Sequence, residues 1–123
     1  MKLYQRIASL VAARLNCEKS GNTEWFDRHT QCLEDIAKNV LPRGSGLDCG
    51  TTIDLDESGP ERVVLRTEFH HMNDGGYYDG WTEHTILITP SLQFGFELRI
   101  TGKNRNDIKD YIYQKFEQVL NEE

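Results

Sequence analysis

Phe94-Gly95-Phe96-Glu97-Leu98-Arg99-Ile100-Thr101 alternates apolar and polar residues from end to end. Successive side chains of a strand point to opposite faces, so this pattern predicts an antiparallel strand with one face buried and one solvated. The same period recurs upstream. Val63, Leu65, Thr67, Phe69 and His71 share one face of a second strand. In a third, over Trp81–Thr89, His84, Ile86 and Ile88 alternate with Glu83, Thr85 and Leu87. A short strand is expected near Thr51–Leu55, ahead of a Ser58-Gly59-Pro60 turn. Asn73 to Gly80, rich in Gly and Asp, reads as the loop between the second and third long runs.

Outside this block the period changes to that of a helix. Leu3, Ile7, Leu10, Val11 and Leu15 predict an amphipathic helix ending near Asn16. Cys17 to Asn22 reads as a turn, and a second helix follows over Thr23–Val40, with Asn22 or Thr23 as its cap. Its stripe is Phe26, His29, Leu33, Ile36 and Val40, and Pro42 stops it. After Gly102, a last helix capped at Asn104 or Asn106 buries Ile108, Ile112, Phe116, Val119 and Leu120. The expected fold is α+β, with element order ααββββα and an antiparallel sheet of three to four strands carrying helices on one face. A chain of 123 residues suits one domain. Its parts are a helical hairpin over 1–41, the sheet over 50–101 and the C-terminal helix over 104–121. The other sheet face would carry Arg66, Glu68, Glu83, Glu97 and Arg99.

Composition narrows the function classes. The 37% hydrophobic and 28% charged fractions belong to a folded chain rather than a disordered one. No apolar run approaches the roughly 20 residues of a membrane span, and no signal peptide is evident. Three widely spaced cysteines, Cys17, Cys32 and Cys49, lack the C-x-x-C spacing of a zinc or redox site. They predict reduced thiols and a cytoplasmic location. Net charge is −6, and it is unevenly distributed. Residues 44–98 hold ten Asp/Glu against Arg62 and Arg66 alone, whereas residues 1–43 carry a slight positive excess. Such a surface repels nucleic acid and attracts cations or a basic protein partner.

The densest group of reactive side chains runs from Phe69 to His84. A hairpin symmetric about the Gly76–Tyr77 bond would set Thr67 opposite Ile86, Phe69 opposite His84, His70 opposite Glu83 and His71 opposite Thr82. His71 and His84 would then be diagonal neighbours on one face. With Asp79 or Asp74 they could form a two-His, one-carboxylate site for a divalent metal such as zinc, iron or manganese. No cofactor is certain from these residues. His71 or His84, supported by Asp79, could instead serve as general acid or base. The ordinary alternative is that both are semi-buried core histidines. His70 and Glu83 are explained by a surface pair. Tyr77, Tyr78 and Trp81, beside Gly and Asp, form a recognition surface or fold back to close the core.

Elsewhere the signals are weaker. Gly44-x-Gly46-x-x-x-Gly50 precedes a strand, not a helix, and reads as a turn rather than an anion loop. Lys103, Arg105 and Lys109 read as solvated charge. His29 lies in an apolar stripe, and with Cys32 three residues away it makes no Cys–His nucleophile without a third group.

Three phrases carry a resemblance: Leu41-Pro-Arg-Gly-Ser-Gly-Leu-Asp48, Phe69-His-His-Met-Asn73 with Gly76-Tyr-Tyr-Asp-Gly-Trp-Thr-Glu-His84, and Thr101-Gly-Lys-Asn-Arg-Asn-Asp-Ile-Lys-Asp-Tyr111. Together they resemble a group of small uncharacterised bacterial and bacteriophage proteins, over about residues 38–116. The resemblance implies a mobile-element setting. It implies no activity and no catalytic residues. Two expectations stand: an acidic binding protein of accessory or anti-defence type, and a small enzyme or metal-binding domain using His71, His84 and Asp79.

Overall fold

The computed structural model describes residues 1–40, 51–72, 75–76, 78–91, 95–101 and 106–123. At 68–72, 78–82, 90–91, 95–101, 106–109 and 111–112 it describes the backbone alone. The order of elements is α1 (Leu3–Ser20), α2 (Thr23–Asn39), β1 (Thr51–Ile53), β2 (Val63–Met72), β3 (Tyr78–Ser91), β4 (Gly95–Thr101) and α3 (Asn106–Leu120). The strands pair antiparallel in the order β1-β2-β3-β4, each beside its neighbour in sequence. This is the α+β fold with order ααββββα that the alternation implies. α2 lies on β1, α1 crosses β2 and β3, and α3 lies on β4.

α1 runs a turn beyond Asn16. Nothing in Cys17–Ser20 forbids a helix, and the stop comes from Gly21 in the left-handed region at φ 74°. Gly21 N–H donates to Glu18 O at 3.3 Å and Asn22 N–H to Cys17 O at 2.9 Å, closing the last turn. Asn22 then caps α2, its Oδ1 accepting from Trp25 N–H at 3.3 Å. Two residues therefore end one helix and start the next.

The core lies between the helices and one sheet face. Ile7 and Val11 of α1 meet Leu33, Ala37 and Val40 at the end of α2, Phe116 and Leu120 of α3, and Val63, Leu65, Ile86 and Ile88 of the sheet. Of the expected α2 stripe, Leu33 and Val40 are buried, while Phe26, His29 and Ile36 are half-buried. Phe26 lies under the Arg14 guanidinium at 4.2 Å, and His29 stacks on exposed Trp25 with ring centroids 5.6 Å apart. The side chains of Ile108 and Ile112, the residues at Asn104 and Pro42, and the Gly44–Gly50 stretch lie outside the described residues.

The strands depart from expectation in three places. β1 is only three residues long because Asp54 turns the chain. Its Oδ1 accepts Glu57 N–H at 3.1 Å, its carbonyl takes the Ser58 hydroxyl at 2.6 Å, and Ser58 Oγ accepts Val64 N–H at 3.0 Å. β3 begins at Tyr78 rather than Trp81, so Tyr78, Asp79 and Gly80 belong to a strand and not to a loop. β3 also carries Pro90, which pairs with Phe96 beyond the last β2–β3 rung, Val63–Ile88. Among the described residues no strand pairs with that side of β3 there, and a strand tolerates proline at such an edge.

The third departure is the register. Thr67 lies opposite His84, Glu68 opposite Glu83, Phe69 opposite Thr82 and His70 opposite Trp81. That is two residues away from the pairing expected of a hairpin centred at Gly76–Tyr77. The turn is instead centred on Gly75 and Gly76, with Gly76 at φ 81°. The register shifts once more between His70 and Met72, where Met72 meets Tyr78. At that bulge Asp79 and Gly80 together face His71.

Candidate functional site

His84 is fully buried on the helix-covered face, among Ile86 and Ile88. Its rung partner Thr67 is 2% exposed and accepts a 3.2 Å hydrogen bond from Thr51 Oγ1 on the next strand. Thr51, Thr67 and His84 thus form a polar row across three strands inside the core. The row is closed to solvent.

The register also separates His84 from its expected partner. His71 lies four positions along β2 from Thr67, about 13 Å at strand rise, rather than two. The diagonal pairing on which the shared metal site and the paired acid–base role rested is not formed. Of the three positions in that set, His71 and Asp79 fall between the same two rungs, His70–Trp81 and Met72–Tyr78, and His84 falls outside them. Among the described residues no group of three or more His, Cys, Asp or Glu is placed to hold a metal ion. Asp74 and Tyr77 lie outside the described residues, as do Cys49, Lys103 and Arg105, and nothing of the Lys109 side chain is described. Cys17 and Cys32 are free thiols.

The binding candidates fare differently. Glu68–Glu83, His70–Trp81 and, past the register shift, Met72–Tyr78 are β2–β3 rungs separated by Phe69–Thr82 and by the bulge. They follow the Arg66–Thr85 rung and alternate with the positions that helices cover. His70, Tyr78, Trp81 and Glu83 therefore fall in one strip, with Glu68 and Met72 joining them. Glu68 and Met72 could be placed there only once the register was known. The expected His70–Glu83 pair is replaced by an acid facing an acid, and Glu83 is exposed. Like charges directly opposite on neighbouring strands are unfavourable.

Both cations of the acidic block are occupied within it. Arg66 Nε and Nη2 donate to Asp54 Oδ2 at 3.2 and 2.8 Å, and Nη1 donates to Thr85 Oγ1 at 2.8 Å. Arg62 Nη2 donates to Glu57 Oε2 at 2.9 Å. The Arg66 guanidinium holds the Asp54 carboxyl below the usual carboxylate range, and Glu57 N–H adds to the effect. Neither arginine is left to neutralise the Glu68–Glu83 rung. Among the described residues no helix is long and apolar enough to cross a membrane. Compared with models of protein families, with curated proteins and with solved structures, the chain matches none.

Proposed function

We propose that the chain is a binding protein that engages a positively charged partner protein through the face of the β2–β3 hairpin opposite the one that α1 covers. The observation that carries this reading is the Glu68–Glu83 rung, set beside a block whose two arginines are already bound to Asp54 and Glu57. A pair of opposed carboxylates gains when a partner's cation sits between them. The following rungs on that face supply Trp81 and Tyr78, residue types that dominate interface energetics. The mobile-element setting implied by the resemblance fits an accessory or anti-defence role acting on a bacterial protein.

One alternative is a small ligand or metal site at His71 and Asp79, whose positions fall between the same two β2–β3 rungs. One experiment separates the two. Wild type, Glu68→Lys/Glu83→Lys and His71→Ala, each checked for folding by circular dichroism, are used to capture proteins from a bacterial lysate. The binding reading expects basic proteins to be retained at about 0.1 M salt and released near 0.5 M. They should also be lost from the charge-reversed variant and kept by His71→Ala. Retention unaffected by charge reversal would overturn it. Zinc or manganese stabilising wild type but not His71→Ala in a thermal shift would favour the alternative.

A further inference from the structure

The two edges of the sheet are built differently. Among the described residues β1 offers three, too few to template another strand. β4 offers seven, Gly95–Thr101, paired with β3 in one constant register from Thr85–Thr101 to Ser91–Gly95. That run has no bulge, proline or lysine to blunt the edge, and its two charges, Glu97 and Arg99, are of opposite sign. Among the described residues no strand pairs with the outer side of β4.

The sequence of β4 also matches itself. Phe96, Leu98 and Ile100 are in register with Pro90, Ile88 and Ile86, while Glu97, Arg99 and Thr101 are in register with Thr89, Leu87 and Thr85. A two-fold axis through a residue, perpendicular to the sheet, keeps both helix layers on the same side of a joined sheet. Centred on Leu98, it sets Glu97 of each copy opposite Arg99 of the other and Phe96 opposite Ile100. All seven residues then overlap. Centred on Glu97 or Arg99, it would oppose like charges. We infer that β4 is a homodimer interface. A second copy adds its own β4 antiparallel about Leu98, joining two four-stranded sheets into one. α3, which packs on β4 and carries the exposed Tyr113, would lie beside its counterpart.

This interface does not rest on the acidic-face reading, because β4 lies on the far side of β3 from the Glu68–Glu83 rung. The test is sedimentation of wild type, Glu97→Arg, Arg99→Glu and the double exchange, with thermal melts to confirm that each folds. A wild-type dimer is expected, and either single reversal should raise its Kd roughly tenfold or more. An equimolar mixture of the two single variants should form a heterodimer, and the double exchange should dimerise again. A wild type monomeric at about 100 µM would overturn the proposal. So would a dimer indifferent to both reversals, or single variants that fail to pair when mixed.

Discussion

Asp54 is held from three sides: by Arg66 through its carboxylate, by Glu57 N–H, and by the Ser58 hydroxyl on its carbonyl. The chain reverses there because a short acidic side chain can take the place of the next strand residue's partner. Its carboxyl titrates below the ordinary value of 3.8 in the folded chain. The stabilisation it provides is therefore present above that value and lost as pH falls through the folded one. Urea unfolding of wild type and Asp54→Asn should differ by a constant amount at neutral pH. The difference should shrink below about pH 4. A gap that stays constant to the acid limit would show that the carboxylate's charge is not what matters. His84 presents the opposite situation. It looks reactive in the sequence, yet 0% of it is exposed, and it shares its row with two buried threonines.

At the scale of elements, Gly21 and Asn22 decide how α1 and α2 meet. Beyond its chain neighbours, no atom of the described residues stands within 4 Å of where a Cβ would sit on Gly21, so the backbone angle is what opposes a side chain there. Gly21→Ala should therefore cost about 1 kcal/mol by urea denaturation, without loss of helix by circular dichroism. A larger loss would mean that the turn also fixes the helix crossing. The helices and the strand faces were legible because hydrophobic period alone sets them. The rungs were not. A register shift of two residues leaves every side chain on its own face, so alternation cannot detect it. Gly75, Gly76 and Gly80 admit several turns, and the sequence holds no mark that selects the one with a bulge. His84 was accordingly assigned to the right face with the wrong partner. The strip of His70, Tyr78, Trp81 and Glu83 was legible as a composition and not as a geometry.

The whole molecule is acidic, with a sequence isoelectric point of about 5.2. Near that pH the repulsion between copies vanishes, while the opposed sheet charges and exposed residues such as Trp25 remain. Solubility, measured as protein left in the supernatant across a pH series, should pass through a minimum near pH 5.2 and recover on either side. Monotonic behaviour through that range would show that patches, not net charge, control association.

The first and last helices also meet end to end. Leu3 N–H donates to Glu122 O at 2.8 Å, and Lys2 Nζ reaches Asn121 Oδ1 at 3.5 Å. The start of α1 and the end of α3 are thus a hydrogen bond apart, and the backbone from Leu3 to Glu122 comes back on itself. A few linking residues would complete the circle, and the chain could be reopened at the exposed Gly75–Gly76 turn. In such a circular permutant the two strands of the central hairpin would become the two ends of the molecule, while every helix kept its neighbours.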